Sequence, residues 1–234
     1  METQAAAKSA APLEKHAAPY GLHIGFWICI VIAVAVVLRR LVALAHPSQS
    51  APPQMAGLDA AFASHAALTL AHILPALLFV VLSPVVLFRR SGGILWAERL
   101  WFPLGAIVGI TAYAMSAYSV GGWAERSAVL FFNSLFLFSL FRAYRYRQRG
   151  EPQLKLRWMT RAIGILLGIA TTRPVMGVFF ATSTLTHLSP KQFFGIAFWI
   201  GFSINTIVVE LWLHSRTHGP QIPPHAQTQR AAMR

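Results

Sequence analysis

Six long apolar runs constrain this sequence more than any other feature: Leu22–Leu38, His65–Phe88, Leu100–Val120, Arg126–Tyr144, Trp158–Phe180 and Phe193–His214. Runs of about 20 residues match the hydrocarbon thickness of a bilayer when wound into helix. Inside lipid each backbone amide must find its partner within the protein, and an α-helix satisfies all of them locally. The sequence therefore predicts an all-α integral membrane protein. Six transmembrane helices form one bundle over residues 22–214, between flexible tails at 1–21 and 215–234. Composition agrees, since only 12% of residues are charged, about half the share of a soluble domain.

A net charge of +13 invites a nucleic-acid reading, but the distribution of charge opposes it. With the N-terminus inside, 15 basic residues fall on one side, among them Lys8, Lys15, Arg89, Arg90, Arg142, Arg157 and Arg161. Only Arg39, Arg40, Arg126 and Lys191 fall on the other, and Arg173 lies within a span. Such a bias fixes orientation, here with both termini cytoplasmic. The basic stretch Arg142–Arg161 is expected to meet anionic lipid headgroups. Cys29 is the single cysteine, which excludes an internal disulfide and a thiolate-ligated iron–sulfur cluster. Ala43-Leu44-Ala45 has a small-x-small cleavage pattern, yet the preceding tail is long and Arg39-Arg40 intervenes, so the first helix is expected to be retained.

Pro47–Gly57 and Thr182–Lys191 read as external loops, and Arg89–Gly93 as a tight internal turn. Gly105 with Gly109, and Gly164 with Gly168, place small residues four apart, which lets helix backbones approach closely.

Polar side chains inside the runs carry the functional information, because charge at membrane depth is costly. His65 and His72 stand seven residues apart, nearly two turns, and share a helix face. Arg173 lies sixteen residues into a span that starts from the opposite side. His72 and Arg173 therefore reach similar depths in the outer half. Pro174 follows Arg173 and removes a backbone bond, so a kink is expected there, with Thr171 and Thr172 beside it. A guanidinium, two hydroxyls and two imidazoles could hold a small anion or a carboxylate such as a haem propionate. Alternatively, Arg173 bonds carbonyls exposed by its own kink.

Neutral imidazole is a standard axial ligand, so haem b is a second reading. His65 and His72 share one helix and cannot oppose each other; a partner would have to be His23, His187 or His214. A metal held by His65, His72 and His187 would lack any accompanying carboxylate or cysteine. Glu210 lies about one turn from the cytoplasmic end of its span, as does Arg161 in the preceding one, and the two are expected to form a structural ion pair. Asn205, near mid-membrane, is expected to hydrogen-bond between helices. No nucleophile elbow, zinc-protease helix, P-loop or dinucleotide fingerprint is present. Any enzymatic activity would then be that of a membrane oxidoreductase; a binding, transport-related or purely structural role is expected instead.

Several residues occur in a recognisable order: His65-Ala66-Ala67, His72, Pro84, Arg157-Trp158-Met159-Thr160-Arg161, Thr172-Arg173, and Asn205 with Glu210. In this the chain resembles the uncharacterised bacterial membrane family called domain of unknown function 2306. The resemblance runs from about His65 to His214 and implies a multi-pass protein of a bacterial inner membrane. It departs in two places. Glu98-Arg99 stands where the family typically has a His-Arg pair, and Lys155 or Leu156 stands where a histidine usually precedes Arg-Trp-Met. What the resemblance implies is fold and location rather than chemistry.

Overall fold

The computed structural model describes residues 20–46, 59–88, 95–182, 185, 187 and 189–216. The tails expected at 1–21 and 215–234 lie almost wholly outside these residues, as do the loop at Pro47–Gly57 and the turn at Arg89–Gly93. Among the described residues the secondary structure is helical throughout. The long helices are α1 (Tyr20–Ala45), α2 (Ala66–Phe88), α3 (Leu95–Ser116), α4 (Gly122–Gln148), α5 (Pro152–Leu166), α6 (Gly168–Ala181) and α7 (Pro190–Ser215).

Five stretches are long and apolar enough to cross a membrane: α1, α2, α4, α5 with α6 taken together, and most of α7. Helix α3 is not among them. Its first half carries Glu98, Arg99 and Pro103, which lower its mean hydropathy, and it packs between α2 and α4.

Two features differ from the sequence expectation. Helix α1 does not stop at Leu38 but runs through Arg39 and Arg40 to Ala45. Arginine is a good helix former, and both guanidiniums find a carboxylate outside the helix. Arg39 Nη2 lies 3.0 Å from Asp59 Oδ2, and Arg40 Nη1 pairs with Asp59 Oδ1. Asp59 belongs to a short helical turn over residues 59–63 that leads into α2. The second difference concerns the expected kink at Pro174. That residue sits inside α6, and the interruption falls at Leu167. There the Ala170 N–H donates to Leu167 O in a tightened turn of 2.9 Å. Gly168, just after the break, lies so close to α7 that a Cβ there would be 2.6 Å from Phe202 Cδ1.

The small residues act within the chain. A Cβ on Gly105 would meet Phe79 of α2 and Leu140 of α4, one on Gly109 would meet Leu137, and one on Gly164 would meet Val209. Close backbone approach of this kind supplies packing where lipid offers no hydrophobic drive. Around Gly105 the rings of Phe79 and Trp101 stack at 4.4 Å, and Phe136 meets Phe79 edge-on. The indole N–H of Trp101 donates to Ser83 Oγ at 3.1 Å, so this fully buried ring leaves no polar atom unpaired. By contrast α1 fully buries only Ile30, Ala33 and Ala43, with Phe26, Cys29, Ile32 and Val34 partly buried against the core.

Candidate functional site

A cavity of about 250 Å³ runs inside the bundle. It follows α2 from His65 to Val80, fifteen residues, or roughly 22 Å of helix. The facing walls come from α1, α3, α4, the α5–α6 stretch and α7. Polar groups cluster at one end, where α1 finishes, α2 begins, α3 finishes and α4 begins: Arg40, His65, Tyr118, Glu125 and Arg173. The remainder is lined mainly by apolar side chains such as Val80, Phe136, Ile165 and Leu166, with His72 and Asn133 part-way along.

The charged end is partly satisfied. Arg40 is pinned by Asp59 and lies over the Phe62 ring at 4.0 Å. Glu125, 8% exposed, accepts the Gly121 N–H through Oε2 at 2.6 Å and lies within Coulombic range of Arg173. Arg173 differs from both. Its Nε is buried with no hydrogen-bond partner, although buried polar atoms are nearly always paired.

The two histidines are held differently. His65 Nδ1 is 3.0 Å from Ser64 Oγ, and its ring lies against Tyr118 with centroids 3.8 Å apart. His72 Nδ1 is 2.9 Å from Thr111 Oγ1, and that hydroxyl already directs its proton to Ile107 O at 2.7 Å. A hydroxyl has one proton to donate. Nδ1 of His72 therefore carries the hydrogen in this bond, which leaves Nε2 as an acceptor.

Of the residues singled out in the sequence, His65, His72 and Arg173 meet at the cavity; Thr171 and Thr172 do not line it. Successive residues on a helix are turned about 100° apart, so neither neighbour shares the face of Arg173. Thr171 Oγ1 donates to Asn205 Oδ1 at 2.7 Å, and Asn205 Nδ2 donates to Gly164 O at 3.3 Å, a stitch joining α5, α6 and α7. Thr172 is buried, its hydroxyl donating to Ile169 O at 2.6 Å. Away from the cavity, Arg161 makes a two-pronged contact with Glu210, Nε to Oε1 at 2.5 Å and Nη2 to Oε2 at 2.9 Å. The two positions of departure from the family pattern also meet. Lys155 Nζ donates to Glu98 Oε1 at 2.9 Å, with Arg147 Nε 3.5 Å from the same oxygen.

Both cavity histidines come from the same stretch of chain, and among the described residues no other histidine lines the cavity. An opposed axial pair for haem is therefore not formed there. Among the described residues no three of His, Cys, Asp and Glu are grouped to share a metal ion. Sequence reasoning missed Arg40, Glu125 and Asn133 as cavity residues. The first two sit near helix ends, where charge is ordinary, and Asn133 Nδ2 bonds Gly109 O at 2.9 Å as a packing amide would.

Long apolar helices packed around a cavity with one charged end define a multi-pass integral membrane protein. The family model described as "Predicted membrane protein (DUF2306)" matches residues 69–213, and the chain belongs to that family. No curated protein and no solved structure matches it.

Proposed function

We propose that this is a six-span protein of the bacterial inner membrane, both termini cytoplasmic, that binds a small organic anion without hydrolysing it, as a receptor or transport component. The observation carrying this reading is Arg173, a half-buried side chain on a cavity wall whose Nε is buried and unpaired. A guanidinium binds carboxylate or phosphate through paired N–H donors, and charge at membrane depth marks a ligand or ion path. His72 lines the same cavity. The six-span count adds α3, 22 residues long, to the five more apolar stretches. The bias of Lys and Arg supports the orientation, and Arg142–Arg161 would then lie against anionic headgroups.

Thermal unfolding of the purified protein against a panel of small organic anions tests the binding reading. At least one anion should raise the melting temperature of the wild type, and Arg173→Gln should unfold cooperatively without that rise. A panel that stabilises both proteins equally, or neither, overturns the assignment. Reporter fusions after Ala45 and after Arg216 test the topology: the first should report outside and the second inside.

A further inference from the structure

The shape and charge of the cavity narrow the ligand further, on the assumption that the anion-binding reading holds. The cavity is a drawn-out tube, its lining following the chain from His65 to Val80 over roughly 22 Å. Its volume of about 250 Å³ lies below the usual range of about 300–1,000 Å³ for ligand pockets, which favours one slender chain over a bulky ring system. Polarity along the tube is one-sided. Arg40, Glu125 and Arg173 stand at one end, while Ile165, eight residues before Arg173 and so roughly 12 Å further in, stands with Val80 and Phe136 toward the other.

The polar end is positive on balance. Arg39 and Arg40 share the single carboxylate of Asp59, and Arg126 directly follows Glu125, the one carboxylate within Coulombic range of Arg173. A ligand carboxylate reaching the cavity wall at Arg173 would add the negative charge that this end lacks.

We infer that the ligand is a single-chain carboxylic acid of the fatty-acid type. Its carboxylate lies at Arg173, and its hydrocarbon tail extends along α2 toward Val80 and Phe136. The neutral His72 and Asn133 flank the upper tail, and the phenylalanines of α4 and α7 form the apolar wall.

Binding of radiolabelled decanoate to the purified full chain in lipid nanodiscs tests this, with unlabelled competitors. Decanoate should compete, and decanol, which lacks the charge, should compete at least about tenfold less well. Decanedioate, which carries a second charge into the apolar end, should also be at least about tenfold weaker. Arg173→Gln should weaken decanoate by about tenfold or more. Ala76→Leu, which narrows the inner part of the tube from α2, should reverse the preference between decanoate and hexanoate while leaving hexanoate binding intact. That second variant keeps the test open should Arg173→Gln fold poorly. Equal competition by decanol and decanoate overturns the inference. Binding of benzoate and hexanoate with no dependence on chain length or on Ala76→Leu also overturns it, while leaving the anion site standing. If no anion of any kind binds the wild type, both readings fall.

Discussion

Replacing Gly201 by alanine should destabilise the protein, although the same change in an unpacked helix position should stabilise it. Gly201 is where α7 meets α6 backbone to backbone. A Cβ there would lie 2.6 Å from Thr172 Cγ2, 2.7 Å from its N and 2.8 Å from its Cα. Carbon atoms pack best at about 3.5–4.0 Å, so the two helices must part by about 1 Å, and no rotamer change can relieve contact with a main chain. Overpacking of this kind costs about 1–3 kcal/mol. The gain in helix propensity from glycine to alanine, at most about 1 kcal/mol, offsets part of it. The net expectation is a loss of about 0–2 kcal/mol against the wild type, and of about 1–3 kcal/mol against a helix position where the added Cβ meets nothing. Gly25→Ala is the internal control, since a Cβ there meets nothing within 4 Å, and it should be neutral or gain up to about 1 kcal/mol. Equilibrium unfolding of both variants in mixed micelles, followed by circular dichroism, measures the difference. Because Thr172 precedes Arg173, the parting should also weaken anion binding. If Gly201→Ala is as stable as Gly25→Ala, the close approach of α6 and α7 is wrong.

Three further expectations concern the polar contacts. A double-mutant cycle on Arg161→Gln and Glu210→Gln should give a coupling of about 0.5–1 kcal/mol, modest because the Glu210 side chain is 48% exposed; a coupling near zero would mean that the pair holds nothing together. Asn205→Leu removes the partners of Thr171 and of Gly164 O and should cost about 0.6–1.7 kcal/mol in an unfolding assay. An unchanged or raised stability would show that these bonds are not maintained in the membrane. Purified from cells well supplied with haem, the protein should show no stoichiometric Soret band, because its cavity histidines do not oppose each other. A band that disappears in His72→Ala would refute this and transfer the cavity to a redox cofactor.

The helical membrane fold was legible because apolar runs of bilayer length leave few alternatives. The extension of α1 was not. Arg39-Arg40 reads as a helix boundary until Asp59, some twenty residues on, is seen to bind both. His72 and Arg173 stood out in the sequence as polar groups at membrane depth, and both line the cavity, Arg173 at its charged end and His72 part-way along. Glu125 was hidden by its neighbour Arg126 and its place in the first turn of α4, where a carboxylate is ordinary helix-end chemistry. Thr171 and Thr172 show the opposite failure. Adjacency in the chain suggested a shared site, but helical rotation sends one hydroxyl to Asn205 and turns the other back on its own helix. Whether a polar group faces a cavity or a neighbouring helix depends on rotation and packing, which one sequence does not encode locally.

The family match begins at Thr69, whereas the cavity takes Ala33, Val36, Val37 and Arg40 from α1. The matched segment thus resembles a trough, with α1 as the stave that closes it into a pipe. Among the described residues the helices that α1 packs on are α2 and α6, and it fully buries three side chains, so this stave is lightly held. A single-chain lipid arriving from the bilayer would meet its weakest seam there, and the twin arginines clasped to Asp59 would be the latch at its end.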